Sequence, residues 1–199
     1  MYFHWIFSFY FLCKKFGGIR LMVSKIINDA FSKKLSALSG IKNIDDHIFW
    51  QIKDDKNFII EKNLYGVIGL LSYKTRRNKP KLKLIIKNVS FFTRIRTIIT
   101  FGLFLSFKPP SNVLYISMIA VSKTERGKGI GTHMLNKIIE IGNSLDKIRK
   151  IGLHVVLENE KAIKLYKKLG FEEIKTDYFD DTMQKFIGYS GVIYMEKPL

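Results

Sequence analysis

The sequence predicts an α/β fold: a mixed, largely central β-sheet flanked by helices. Three observations predict it. Strand-like and helix-like segments alternate through the C-terminal half. The run "NVLYISMIAV" (112–121) is nearly all apolar, as a strand buried on both faces must be. It leads through a glycine-rich turn, "ERGKGIG" (125–131), directly into a segment of helical period.

Each element follows from local pattern. From Gly18 to Leu38, the residues Met22, Ile26, Ile27, Ala30, Phe31 and Leu35 recur at helical spacing. "FIIEKN" and "LYGVIGLLSY" read as two strands joined by a short turn, and "KTRRNKPK" as a basic loop holding Pro80. Leu82 to Phe107 mixes Ile85, Val89, Phe92, Ile95, Ile99 and Leu103 with basic residues. This spacing predicts one amphipathic helix or a helix pair, stopped by Lys108-Pro109-Pro110. After the glycine turn, a helix from Gly131 to about Ile141 turns Met134, Leu135, Ile138 and Ile139 inward. "KIGLHVVLE" is a strand, and "NEKAIKLYKKLG" a helix with Asn159 at its start and Gly170 past its end. "FEEIKTDYF" and "GVIYMEKP" close the chain as strands.

A length of 199 residues predicts one domain, or one domain with an appendage, with room for a proper core. A single cysteine, Cys13, excludes an internal disulfide framework and fits a reducing, cytoplasmic setting. The four histidines lack metal-ligand spacing, so no metal is expected. The net charge of +17 points to polyanions: nucleic acid, acidic membrane or phosphorylated small molecules. No acid occurs between Glu61 and Glu125. Lys62, Lys74, Arg76, Arg77, Lys79, Lys81, Lys83, Lys87, Arg94, Arg96, Lys108 and Lys123 all fall in that interval.

The glycine turn suits a pyrophosphate. Successive backbone N–H groups in such a turn form an anion nest, and the following helix adds its unpaired N–H groups and its dipole. Glycine supplies positive φ and leaves no Cβ in the way. Arg126, Lys128 and Thr132 add charge and a hydroxyl. The spacing fits neither a Walker-type loop, since Lys128 is followed by Gly129, nor a dinucleotide fingerprint, since Thr132 holds the third glycine place.

Downstream sequence sharpens the reading. Arg126-x-x-Gly129-x-Gly131, followed about 30 residues later by "LENEKAIKLYKKLGF", resembles the GNAT-type N-acetyltransferases. Asn159, Ala162, Leu165, Tyr166, Gly170 and Phe171 fill every place of that family's second motif. The resemblance runs from about Val113 to Phe171, and "VIYMEKPL" looks like the family's last strand. It implies acetyl-CoA as co-substrate, with transfer to a primary amine by direct attack. It implies that Arg126, Gly127, Lys128, Gly129, Ile130, Gly131 and Thr132 hold the pyrophosphate. The backbone of Met118, Ile119, Ala120 and Val121 would hold pantetheine and the thioester. Asn159 and Ala162 would line the coenzyme, and Tyr166 would protonate the departing thiolate. Many relatives place a glutamate base on the strand before the loop; here Tyr115 occupies that place. Glu61, Glu158, a water chain or an acceptor arriving neutral are the alternatives. His133 reads as a surface or packing histidine, while His154 lies on a strand that can turn it into the site.

The family core needs only a short connection where this chain inserts residues from about 74 to 110. Three readings of this basic insertion stand: a lid with its apolar face on the sheet, recognition of an acidic acceptor, or contact with an acidic membrane surface through Phe91, Phe92, Phe101, Phe104 and Phe107. No recognised nucleic-acid motif accompanies the charge. The rival to an enzyme is a basic acyl-CoA-binding module associating with membrane or nucleic acid. Residues 1–21 form an apolar extension, too short to span a bilayer and unlike a signal peptide. They read as an aromatic-rich buried strand or as sequence upstream of a start at Met22, whose loss lowers the charge from +17 to +14.

Overall fold

The computed structural model describes residues 18–54, 56–105 and 107–199, and the apolar run that opens the chain lies outside them up to residue 17. Helix α1 (Gly18–Ser39) and a short α2 (Ile44–His47) lead into β1 (Ile48–Asp54), β2 (Phe58–Asn63), β3 (Gly66–Lys74) and β4 (Lys81–Ile86). Then follow α3 (Phe91–Leu105), β5 (Val113–Val121), α4 (Ile130–Asn143), β6 (Lys150–Val156), α5 (Glu160–Lys168), β7 (Glu172–Tyr178), α6 (Asp181–Ile187) and β8 (Gly191–Pro198). The main sheet has the order β2-β3-β5-β6-β8-β7. β5 and β6 pair in parallel and every other neighbouring pair is antiparallel. The parallel pair is the one joined by a helical crossover, as parallel strands require.

The stretch from Leu82 to Phe107 departs from its helical reading. Its first part is β4, which pairs with β1 in a separate two-stranded sheet, Trp50 opposite Leu84 and Ile52 opposite Leu82. "KLKLII" has a period of two: Leu82 and Leu84 pack inward while Lys81 and Lys83 are exposed. A partner strand outweighs the coincident helical spacing. The remainder is helical, as α3. Neither β1 nor α6 is anticipated by the reading above.

Alternation along the main sheet separates two apolar clusters. On one face α4 and α5 cover Leu71, Leu114, Ile116, Ile151, Leu153, Val155, Ile193 and Met195. On the other, α1 and β1 cover Leu70 and Ala120, with Val23, Ile27 and Trp50 at the centre. Leu70 and Leu71, neighbours in β3, serve opposite clusters and are both fully buried.

A polar network ties α1 to β1. Buried Asn28 donates through Nδ2 to Ile48 O at 3.0 Å and to Asp45 Oδ1 at 2.9 Å, and its Oδ1 accepts from Trp50 Nε1 at 3.0 Å. Ser24 Oγ accepts from Trp50 N at 2.9 Å. Removing one partner strands the others without water. Asn28→Ala is therefore expected to lower stability by about 2–4 kcal/mol. The check is a lower urea midpoint at unchanged m-value.

Candidate active site

The main sheet opens at one place. β5 pairs with β6 only from Val113 opposite Lys150 to Ile116 opposite Leu153. Beyond that point β5 continues to Val121 against β3, and β6 continues to Val156 against β8. One edge of Ser117–Val121 thus faces a gap rather than a strand. The parting coincides with a bulge: Ser72 pairs with Met118 and Tyr73 with Ile116, leaving Ser117 as the extra residue. Ser117 Oγ is buried and has no hydrogen-bond partner among the described residues. Along the open stretch, Met118 and Ala120 turn toward α1 and β1, and Ile119 and Val121 toward α4 and α5.

The glycine turn lies where β5 ends. Gly127 and Gly129 both have φ of +81°, and no atom lies within 4 Å of where a Cβ would stand on either. The turn is an open cradle of the kind an anion fills. Gly129 is the N-cap of α4 and has no side chain to cap it, so the helix's first N–H groups open outward. Ile130 packs back against β3, where Gly69 makes room: a Cβ there would meet Ile130 Cγ2 at 2.9 Å. Gly131 faces Leu165 of α5, and Thr132 is half-buried in the first turn. Arg126 Nε donates to Val121 O at 3.1 Å, pinning the turn to the end of β5. Lys128 Nζ pairs with Glu125 Oε2 at 3.1 Å. The buried hydroxyl of Ser117, the open edge and the glycine cradle together fit a long polar ligand ending in a pyrophosphate.

α5 lies on the α4 side of the opening. Its N-cap Asn159 accepts from Ala162 N at 3.3 Å, and Ala162 packs on the cluster beneath. Tyr166 is buried in the cluster that contains Ile116 and Leu153, the last pair before the strands part. Its ring lies 5.8 Å from that of Phe171. Burial pushes the phenol up to about 12, so it holds its proton throughout the neutral range.

The opposite face of the same opening carries groups that local sequence did not single out as a pair. Tyr115 and His154, 39 residues apart in the chain, meet through Tyr115 Oη and His154 Nδ1 at 2.8 Å. His154 is the first residue of β6 past the last β5 partner. Burial raises the Tyr115 phenol far above its usual range. Phe107 packs against both rings, tilted at 4.7 Å from Tyr115 and edge-to-face at 4.9 Å from His154. Buried Lys74 lies over the Tyr115 ring at 5.2 Å, its ammonium pKa lowered by burial and then by Lys79. A cavity of about 510 Å³ opens beside them, lined by His154, Phe107 and Tyr194, by exposed Arg76, Lys108 and Lys175, and by one acid, Asp177. Lys175 pairs with Asp177 at 2.5 Å. Arg76 and Lys108 have no acidic partner among the described residues.

The two acids considered as bases are engaged elsewhere. Glu61 Oε1 pairs with Lys137 Nζ at 2.8 Å and lies 3.7 Å from exposed His133. Glu158 accepts from Ser190 N at 2.6 Å and Oγ at 2.7 Å. Burial acts to raise its carboxyl, and these hydrogen bonds more than offset that, leaving it below the usual range. Among the described residues no group of three or more His, Cys, Asp or Glu side chains is placed to hold a metal.

Parts of this chain are similar to known proteins. A 63-residue stretch is 43% identical to "N-alpha-acetyltransferase 50" of Danio rerio, covering 32% of this chain and 38% of that protein. A 61-residue stretch is 46% identical to an uncharacterised N-acetyltransferase of Methanocaldococcus jannaschii, covering 31% of this chain and 26% of that one. The matched stretch thus spans well under half the length of these relatives. In fold, the chain is similar to an IAA acetyltransferase from Bacillus cereus, with a TM-score of 0.52 at 14% identity over 88% of this chain and 91% of that one. Residues 22–171, which include the strand opening, the glycine turn and the Asn159-capped helix, match the sequence pattern of the Acetyltransferase (GNAT) family, and the chain belongs to that family.

Proposed function

We propose that the protein transfers an acetyl group from acetyl-CoA to an amine by direct attack, without a covalent enzyme intermediate. The observation that supports it most is the parting of β5 from β6, with a glycine cradle at its end, Tyr166 on one face and the Tyr115–His154 pair on the other. The coenzyme supplies an activated thioester. Gly127, Gly129 and the first turn of α4 receive its pyrophosphate, and the open edge of Met118–Val121 offers N–H and C=O groups to pantetheine and an N–H to the thioester carbonyl. The tautomer of His154 that donates Nδ1–H to the Tyr115 oxygen carries its lone pair on Nε2, as a base requires. That nitrogen accepts the proton the amine loses as it bonds to the carbonyl carbon. Tyr166 gives its phenolic proton to the sulfur as the carbon–sulfur bond breaks.

The cavity beside His154 suggests the kind of acceptor. Arg76, Lys108 and buried Lys74 disfavour a second positive charge there, which holds an entering amine neutral and nucleophilic. The same cations favour an acceptor with an anionic group at its other end. The test is turnover of acetyl-CoA with an ω-amino carboxylate and its matched amide. The carboxylate is expected to show kcat/KM about tenfold higher or more. Arg76→Ala/Lys108→Ala should erase that preference. Equal turnover of the two would sink the anionic acceptor; no turnover of any amine by a protein that binds acetyl-CoA would sink the enzyme.

A further inference from the structure

The first half of helix α3, residues 91–99, carries its large apolar side chains outward. A helix that covers a core turns its apolar side inward. Here Thr97 is fully buried, while Phe91 is 70% and Phe92 83% exposed. Polar groups of residues 90–97 are held by hydrogen bonds within the protein. Ser90 Oγ accepts from Thr93 N at 3.3 Å at the helix start, and Thr97 Oγ1 donates to Thr93 O at 2.7 Å. Arg96 Nη2 donates to Ala37 O of α1 at 3.2 Å. Outward stand Phe91, Phe92, Ile95, Ile98 and Ile99, whose spacing sets them in one stripe with exposed Arg94 among them. The side chains of Phe101 and Phe104 lie outside what the structure describes.

A contiguous apolar stripe of this kind marks an interaction surface. The charge around it selects the partner. Lys81, Lys83, Lys87 and Lys108 are also exposed, and no acid interrupts the chain from residue 62 to 124. We propose that α3 docks the protein on an anionic lipid bilayer. Its Phe and Ile side chains enter the boundary between headgroups and acyl chains, and the surrounding Lys and Arg meet lipid phosphates. The helix lies in the plane of the surface: among the described residues no helix is long and apolar enough to cross a membrane. A nucleic acid would engage the cations and leave the five apolar side chains in water.

The test sediments the full chain with vesicles of phosphatidylglycerol and phosphatidylcholine, and with phosphatidylcholine alone, across a salt series. Pelleting is expected with the anionic vesicles and should weaken as salt rises. Phe92→Ser/Ile99→Ser should lower partitioning roughly tenfold or more, because both side chains lose apolar surface that would leave water. Both are exposed in the fold, so the variant should keep the wild-type thermal midpoint and its stabilisation by acetyl-CoA. Four results would overturn the proposal. The wild type could stay in the supernatant at low salt. The variant could pellet as well as the wild type. Pelleting could arise only after removal of residues 1–17, which would make that segment the occupant of the stripe. A wild-type dimer that becomes monomeric in the variant, without vesicle binding, would make it a contact between copies.

Discussion

Tyr166→Phe is expected to lower kcat by about two to four orders of magnitude, the usual contribution of a positioned acid or base. Acetyl-CoA should still raise its melting temperature as it does for the wild type. The substitution removes one hydroxyl from a buried ring and leaves the packing against Phe171 intact. That hydroxyl has no hydrogen-bond partner among the described residues, so its loss breaks no network in the free protein. His154→Ala should cost a similar factor from the opposite face of the opening. The two variants are distinguishable: a thioester with a more acidic thiol leaving group should partly restore Tyr166→Phe and leave His154→Ala unchanged. Full activity in Tyr166→Phe would remove the phenol from the reaction, and a slow wild type insensitive to both substitutions would favour a basic module that binds acyl-CoA without using it.

Gly129→Glu should abolish stabilisation by acetyl-CoA in a protein that still folds. At a hundredfold excess over its dissociation constant a ligand adds about 2.7 kcal/mol, which for a domain of this size raises the midpoint by roughly 5–10 °C. Two effects oppose binding in the variant. A side chain at φ of +81° costs about 1–2 kcal/mol of backbone energy, and a carboxylate now stands where the anion would sit. Gly129→Ala separates them, because alanine brings the same strain without the charge and should keep part of the rise. An undiminished rise in Gly129→Glu would move the coenzyme site away from this turn.

What the sequence disclosed and what it hid divide along the range of the interactions involved. The glycine turn, the Asn159 cap and the helices α4 and α5 are local: φ preference, cap chemistry and a 3.6-residue period lie within a few neighbours. β1 and β4 depend on a partner some thirty residues away, and in "KLKLII" two periods compete until that partner is known. The Tyr115–His154 pair depends on register between strands, and no spacing in the chain encodes it. Ser117 is similar, since its bulge is defined by β3 opposite and not by its own neighbours. α6 carries local signals at both ends: Asp180 caps it, accepting from Met183 N at 2.8 Å, and Gly188 ends it at φ of +80°. On α3 the helical period is local, but only tertiary packing reveals that Thr97 faces inward while Phe91 and Phe92 face outward.

Because Leu70 and Leu71 serve clusters on opposite faces, β3 tolerates exchange of residues far better than any change in their number. Deleting one residue from the strand would rotate all that follow, sending Lys74 to the α4 face and Tyr73 to the other, and would shift the bulge opposite Ser117. Over evolutionary time such a segment should drift by substitution while its length stays fixed.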